Sequence, residues 1–290
     1  MNEVVRAVAS EDILGEVPVW CPREQALYWV DIEGCKLQRF HPASGRIDRW
    51  MTPERLCSFA LREKGGLVAA FASGLAFYEP EAGKVEWIAR PEASQPRNRM
   101  NDGKCDRSGR FFVGSMDDKL KEHTGALYRL DPDLSLHRLD SGIGISNSLA
   151  WSLDEKSFYF ADTMSQEIYV YDYDRASGDI DNRRMFATTL NQPGTPDGSS
   201  IDAEGYLWNA QWDGWRLTRY APDGRIDRIV ELPVSRPSSC MFGGPDLRTL
   251  YVTTAIFDLS AAGRARQPWA GSLLAVDVGV AGLPEPRFGG

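Results

Sequence analysis

The feature that most constrains the fold of this chain is a repeated order of short strands and turns. Each repeat starts with a strand of aromatic and β-branched residues, continues into a second strand, and passes through an Asp, Pro or Gly turn into a third. The repeats start near residues 26, 66, 109, 156, 205 and 249, roughly 40 to 50 residues apart, which is the length of one four-stranded blade. No window of a dozen residues has a sustained helical period. The sequence therefore predicts an all-β, six-bladed β-propeller with four-stranded antiparallel blades.

The start and the middle of the chain bear on its domain organisation. Segment 3–8 (EVVRAV) precedes the first repeat and would complete the last blade, so that no edge strand is left exposed. Two separate β-sandwiches would instead require a joint rich in Pro, Gly and Ser near the middle, and we do not interpret 141–151 as such a joint. We expect 1–290 to form a single propeller domain, and a monomer, because a propeller of this size closes its own edges.

The charge balance limits the classes of partner. Lys and Arg number 33 against 41 Asp and Glu, a formal net charge of −8, which removes the electrostatic reason to bind nucleic acid or an anionic membrane surface. The most apolar region, 65–78, is interrupted by Gly and Ser and is too short to span a bilayer. The N-terminus lacks the basic-then-apolar order of a signal peptide. We expect a cytoplasmic protein that binds neither nucleic acid nor a membrane.

The cysteines and histidines do not predict a catalytic centre. The five cysteines contain no CxxC pair, and we expect them to be buried thiols. The three histidines lie in turn-like or polar segments, and no GxSxG motif accompanies them. A Ser-His-Asp hydrolase is therefore disfavoured.

Four short polar motifs stand at similar positions ahead of different repeats. Each begins some 8 to 11 residues before the strand that opens its repeat, where the innermost strand of a blade would start and side chains would converge on the axis. The motifs are 15–20 (GEVPVW), 99–104 (RMNDGK), 145–151 (ISNSLAW) and 195–199 (TPDGS).

Three residues of these motifs suit a metal ion. Glu16, Asn147 and Asp197 supply two carboxylates and an amide oxygen, a ligand set for a hard divalent cation with positions left for water. Converging carboxylates would repel each other unless a cation lay between them. The alternative is structural, since Asn-Asp-Gly and Pro-Asp-Gly are common turn sequences and Glu16 can be a strand-edge charge. The shared position of the motifs favours the metal interpretation.

The same motifs, in this order, resemble the SMP-30/gluconolactonase/LRE family, which includes regucalcin-like proteins and bacterial sugar lactonases. The resemblance covers almost the whole chain and extends to 151–154 (WSLD) and 240–246 (CMFGGPD). It implies a six-bladed propeller with one catalytic divalent metal ion bound by Glu16, Asn147 and Asp197. The sequence does not select among Ca²⁺, Zn²⁺, Mn²⁺, Mg²⁺ and Fe²⁺.

The resemblance also implies a reaction and roles in it. The reaction is hydrolysis of a sugar (aldono) lactone to the sugar acid, with Arg99 and Asn101 contacting the substrate and Asp197 doubling as proton donor and acceptor. The chain departs from some members after the third-repeat strand, where an acidic substrate contact cannot be aligned. Asp118 is the candidate for it, and whether Asp118 or Lys119 contacts the substrate stays open. The sugar and its ring size stay open.

Two other functions compete with this prediction. A hydrolase of aryl esters or other lactones on the same scaffold would want a more apolar site, and a panel of such esters would separate it from a sugar lactonase. A non-enzymatic metal-binding propeller would bind the cation without turnover. Trp212 and Trp215 lie in a predicted loop, where substrate contact and packing are both open.

Overall fold

The computed structural model describes residues 3–290, and these form β-strands with one short helix. The strands make six antiparallel sheets of four strands each. The predicted fold class, an all-β six-bladed propeller with four-stranded antiparallel blades, is confirmed. The helix, α1 (Ala261–Arg266), is not anticipated by the sequence pattern; Ser260 caps it by accepting a hydrogen bond from the Gly263 N–H.

The described residues divide into two compact units with three sheets each. Unit 1 contains residues 3–51 and Thr189–Pro284, and unit 2 contains Thr52–Thr188 and Glu285–Gly290. A single domain over 1–290 stays a prediction, and residues 1 and 2 lie outside the described part of the chain.

Unit 1 holds the first, fifth and sixth blades. Blade 1 consists of β2 (Gly15–Cys21), β3 (Ala26–Asp31), β4 (Lys36–His41) and β5 (Arg46–Met51). Blade 5 consists of β18 (Thr195–Ile201), β19 (Leu207–Trp212), β20 (Arg216–Tyr220) and β21 (Ile226–Glu231). Blade 6 consists of β22 (Pro237–Gly243), β23 (Thr249–Thr254), β24 (Leu273–Asp277) and β1 (Val4–Val8).

Unit 2 holds the second, third and fourth blades. Blade 2 consists of β6 (Leu56–Leu61), β7 (Leu67–Phe71), β8 (Gly74–Glu79) and β9 (Lys84–Ala89). Blade 3 consists of β10 (Asn98–Cys105), β11 (Phe111–Asp117), β12 (Gly125–Leu130) and β13 (Leu136–Ile143). Blade 4 consists of β14 (Ser146–Trp151), β15 (Ser157–Asp162), β16 (Glu167–Tyr173) and β17 (Ile180–Thr188).

The N-terminal segment completes the last blade, as predicted. Strand β1 pairs antiparallel with β24, with Val4 opposite Val276 and Val5 opposite Ala275. The first strand in the sequence thus covers the edge of a sheet whose other strands come from the end of the chain, which removes an edge open to pairing.

Burial decreases from the first strand of a blade to its last. All seven residues of β2 are buried, whereas β5 has only exposed and half-buried positions. Strand β14 is likewise wholly buried and β10 mostly so, whereas β17 has no buried position and β13 has one. Most positions on a first strand are therefore buried, and a polar side chain at such a position must find hydrogen-bond partners there.

Two further expectations concern the cysteines and the membrane. Four of the five cysteines are buried, as expected, and Cys35 is half-buried. No helix in the described part of the chain has the length and apolar character to cross a membrane.

A buried carboxylate, Asp12, supports blade 1 ahead of its first strand. Its oxygens accept hydrogen bonds from Trp29 Nε1 at 2.8 Å and Gln38 Nε2 at 2.7 Å, and the residue is 1% exposed. Burial raises the pKa of Asp12 to about 6 against the lowering effect of these hydrogen bonds. The folded protein therefore binds a proton at Asp12 more tightly than the unfolded chain does.

This raised pKa predicts how stability depends on pH. The contribution of Asp12 to the free energy of unfolding falls as pH rises from about 4 to about 6, because the unfolded chain loses the Asp12 proton over this range while the folded protein still holds it. Asp12→Asn removes that titration. We expect the stability of the variant relative to wild type to improve by about 2 kcal/mol between pH 4 and pH 7. Urea unfolding of both proteins at the two pH values measures this; an unchanged difference would mean that Asp12 stays charged in the folded protein.

Candidate functional site

The four predicted motifs lie on the first strands of blades 1, 3, 4 and 5, and each strand carries a bulge within its motif. One extra residue is inserted on the first strand between Glu16 and Val19 of β2, and the pairing of β10, β14 and β18 shifts in the same way. A bulge bends its strand and re-aims side chains, and bulges are common beside active sites. The predicted residues therefore lie at the same structural feature, the bulge of a first strand, in all four blades.

Two of these bulges hold the backbone in a conformation that side chains rarely adopt. Val17 follows Glu16 with a φ of 48°, and Ser148 follows Asn147 with a φ of 63°. This left-handed region is unfavourable for a residue with a side chain, and most of all for β-branched valine. Such strain persists where the surrounding structure imposes it, and it is concentrated at functional sites.

Glu16 is a buried carboxylate in unit 1. It is 8% exposed, and its Oε2 accepts a hydrogen bond from the Val17 N–H at 3.1 Å. The preceding residue, Gly15, is held by blade 6, since Ser238 Oγ of β22 donates to its carbonyl oxygen. A Cβ on Gly15 would lie 2.8 Å from the Thr254 carbonyl oxygen, so the strand can approach blade 6 this closely only with glycine at this position.

Asp197 is a second buried carboxylate in unit 1, 5% exposed. Asn209 Nδ2 of β19 donates to its backbone carbonyl at 3.0 Å. A Cβ on the next residue, Gly198, would lie 2.1 Å from Ser239 Oγ of β22. Strand β22 therefore lies against both β2 and β18, and glycines beside the two carboxylates permit this close packing.

Asn101 joins two other predicted residues in unit 2. Its Nδ2 donates to the Ser146 carbonyl at 2.9 Å and to Asn147 Oδ1 at 3.2 Å, while its Oδ1 accepts from Arg99 Nη1 at 2.6 Å. Both amide hydrogens of Asn101 are thus engaged inside the protein. Asn101 connects the predicted substrate-binding arginine to the predicted metal ligand.

The amide of Asn147 has a defined orientation. Its Nδ2 donates to Thr163 Oγ1 at 2.9 Å, and its Oδ1 faces the Asn101 amide group. Asn147 is 4% exposed. The side chain therefore presents its oxygen, the atom that binds a hard cation, in a fixed direction, and this oxygen has a second lone pair.

Asp118 contacts Arg99 and a residue that the sequence did not single out, Arg55. Arg55 Nη1 and Nη2 donate to Asp118 Oδ1 at 2.9 Å and Oδ2 at 3.0 Å, and Arg99 Nε donates to Oδ1 at 3.0 Å. Burial alone would raise the pKa of Asp118, but the two guanidinium groups hold it below its usual value. Lys119, the other candidate, is exposed.

Asp102 is a further buried carboxylate that carries no role in the sequence prediction. It accepts hydrogen bonds from the backbone N–H groups of Gly103 at 2.8 Å and Ser148 at 3.1 Å. It therefore ties the bulge of β10 to the bulge of β14. Burial raises the pKa of Asp102 to about 6. Its position within the Asn-Asp-Gly triplet was the only available signal.

The tryptophans of the predicted loop are arranged differently from each other. Trp212 ends β19 and lies under the Arg236 guanidinium, which is 5.1 Å from the ring centroid. Trp215 is 40% exposed. Packing against Arg236 accounts for Trp212, and substrate contact by either residue stays untested.

The donor chemistry of the predicted ligands fits a divalent cation. Glu16 and Asp197 offer carboxylate oxygens and Asn147 offers an oriented amide oxygen, which is the oxygen-rich set that Ca²⁺, Mg²⁺ and Mn²⁺ prefer. Within residues 3–290, no three His, Cys, Asp or Glu side chains cluster so as to hold a metal. The predicted set contains only two such residues and takes its third ligand from an asparagine.

Comparison with known proteins decides the family. The family model described as SMP-30/Gluconolactonase/LRE-like region matches residues 14–256, which contain every predicted site residue. The chain belongs to the SMP-30/gluconolactonase/LRE-like family. The family prediction made from the motifs is confirmed.

Individual members of the SMP-30/gluconolactonase/LRE-like family match nearly the whole chain. L-arabinolactonase of Azospirillum brasilense is 40% identical over 97% of this chain and 94% of its own length. 6-deoxy-6-sulfogluconolactonase of Pseudomonas putida is 37% identical and covers all of both chains. A crystal structure of regucalcin from Agrobacterium tumefaciens, described as a calcium-binding protein, matches with a TM-score of 0.94 at 28% identity, over 98% of this chain and 96% of its own. The prediction of a lactonase-type enzyme agrees with the names of the first two.

Proposed function

We propose that this chain hydrolyses a sugar lactone to the corresponding sugar acid and that it uses one divalent cation held by Glu16, Asn147 and Asp197. The observation that carries the proposal is the hydrogen-bonded series from Arg99 through Asn101 to Asn147. This series links the buried Arg99 guanidinium, which is suited to bind sugar hydroxyls, with the oriented amide oxygen of Asn147, which is suited to bind a metal. The lactonase names of two whole-length relatives support the same reaction.

The chemistry of ring opening assigns a role to each group. When bound, the divalent cation would supply Lewis-acid polarisation of the lactone carbonyl. A carboxylate oxygen of Asp197 accepts the proton of the attacking water as the new C–O bond forms, and returns it to the ring oxygen as the ester bond breaks. The Arg99 guanidinium binds sugar hydroxyls and orients the lactone. The product is one open-chain sugar acid, which carries a new hydroxyl group and a carboxylic acid group. The carboxylic acid group releases a proton at neutral pH.

The contacts of Asn101 limit how it can bind a substrate. Because both of its amide hydrogens are engaged by Ser146 and Asn147, it can meet a sugar only through its Oδ1 oxygen, which already accepts from Arg99. We propose that Asn101 mainly fixes the distance between the substrate-binding and metal-binding groups. The metal itself stays open among Ca²⁺, Zn²⁺, Mn²⁺, Mg²⁺ and Fe²⁺.

A paired substrate panel tests the proposal. Pentonolactones and hexonolactones are offered beside phenyl acetate and an acyl-homoserine lactone, and products are followed by NMR. We expect ring opening of one or two sugar lactones at least about a hundredfold faster than of any aryl ester. Preference for the aryl esters would replace the sugar lactonase with the ester hydrolase, and metal binding without any turnover would favour a binding protein.

A further inference from the structure

Asp118 lies between two guanidinium groups in unit 2. Arg55 contacts both carboxylate oxygens, at 2.9 Å and 3.0 Å, in the two-pronged arrangement that best matches guanidinium to carboxylate. Arg99 contacts the same carboxylate through Nε at 3.0 Å. Arg55 and Asp118 are 63 residues apart and come from neighbouring blades. The Asp118 carboxylate accepts three hydrogen bonds in all, which fix its orientation, and both of its partners are positively charged.

The contacts of Arg99 leave one edge of its guanidinium for a ligand. The group has five N–H donors in a rigid plane. Nε is engaged by Asp118, and Nη1 donates to the Met100 carbonyl at 2.9 Å and to Asn101 Oδ1 at 2.6 Å. None of these bonds uses Nη2. Since Arg99 is only 7% exposed, the Nη2 edge is the part of the group that can still donate to a substrate.

We propose that Arg55 and Asp118 are positioning residues for the proposed lactonase reaction, holding Arg99 so that its Nη2 edge meets a sugar hydroxyl. This inference rests on the proposed function. Asp118 then acts through Arg99 instead of touching the sugar, and Arg55 acts through Asp118. Without Arg55, one side of the carboxylate loses its anchor, and both Asp118 and Arg99 gain rotational freedom that substrate binding must remove.

A double-mutant cycle tests whether the pair acts through Arg99. We expect Arg55→Gln and Asp118→Asn each to raise KM about tenfold with kcat changed less than about twofold, since ground-state and transition-state binding weaken together. In the Arg99→Ala background the same changes should raise KM no further, because the group they position is gone. A purely structural role would lower stability without this dependence on Arg99, so thermal unfolding is recorded for every variant.

The chain offers a matched control two residues away. Arg97, directly before β10, pairs at 2.8 Å with Asp117, the last residue of β11. Arg97→Gln therefore also removes an arginine from an aspartate but leaves the contacts of Arg99 intact. We expect its KM to stay within about twofold of wild type. An equal rise in KM for Arg97→Gln, or additive effects of Arg55→Gln and Arg99→Ala, would overturn the positioning role.

A binding measurement separates failure of this inference from failure of the proposed function. The same cycle is run by calorimetry with 1,5-anhydroglucitol, a ring polyol that cannot be hydrolysed, on the metal-loaded proteins. Binding that weakens in Arg55→Gln only when Arg99 is present supports the positioning role even if no lactone is turned over, an outcome that would reject the lactonase alone. Lactone turnover with additive effects would reject the positioning role alone, and absence of both turnover and binding would reject both.

Discussion

Asp197→Asn is expected to slow acid release from the best lactone substrate by at least about a thousandfold. The amide that replaces the carboxylate cannot accept the proton of the attacking water at neutral pH, and it is a weaker ligand for a divalent cation. The substitution keeps the size of the side chain, so the packing of Gly198 against Ser239 is retained. Initial rates with a pH indicator, together with the dissociation constant for Mn²⁺, measure both consequences.

Asp213→Asn is the matched control for this prediction. Asp213 also belongs to blade 5, directly after β19, but it is 52% exposed and pairs with Arg236 at 2.7 Å. Surface ion pairs of this kind contribute little to stability. We expect its activity to stay within about twofold of wild type. If Asp197→Asn retained more than about a tenth of wild-type activity with the fold intact, Asp197 would not be the proton-transferring group.

Phe288→Ala is expected to lower the free energy of unfolding by about 4 kcal/mol. Phe288 is fully buried in unit 2, and its ring lies 6.2 Å from the ring of Phe77. Its backbone joins blade 2 through hydrogen bonds with Leu61 and Glu63, each of 2.9 Å. Truncation leaves a cavity where the end of the chain packs on this blade, and urea unfolding of variant and wild type measures the cost.

Phe257→Ala provides the comparison, because Phe257 is 39% exposed and lies outside the strands. We expect it to change stability by less than about 1 kcal/mol. Equal effects of the two substitutions would contradict the view that residues 285–290 form part of the packed structure of unit 2.

The sequence predicted those parts of the fold that depend on local patterns. Alternating strands and hairpin turns indicated six blades, and the position of the four motifs ahead of the repeats indicated the first strands on which Glu16, Asn147 and Asp197 lie. Segment 3–8 could be assigned to the last blade because it precedes the first repeat and would cover an exposed sheet edge. Each of these inferences needs only the periodicity of the sequence and the order of its segments.

What the sequence did not predict depends on partners far apart along the chain. Arg55 lies directly before β6 in no recognisable motif, and its importance follows from Asp118, 63 residues later. The bulges appear only when two strands are placed in register. The engagement of both amide hydrogens of Asn101 likewise depends on Ser146 and Asn147 in the next blade. Side-chain hydrogen bonds between blades leave no periodic trace in a single sequence.

The central claim, metal-dependent hydrolysis of a sugar lactone, is tested most directly by proton release. Protein stripped with a chelator is offered a panel of pentonolactones and hexonolactones, and Ca²⁺, Zn²⁺, Mn²⁺, Mg²⁺ or Fe²⁺ is then added in turn while a pH indicator is followed. The account predicts acid release from one or two lactones that begins only when a cation is returned. Silence across the whole panel, with a cation shown to be bound, would contradict it.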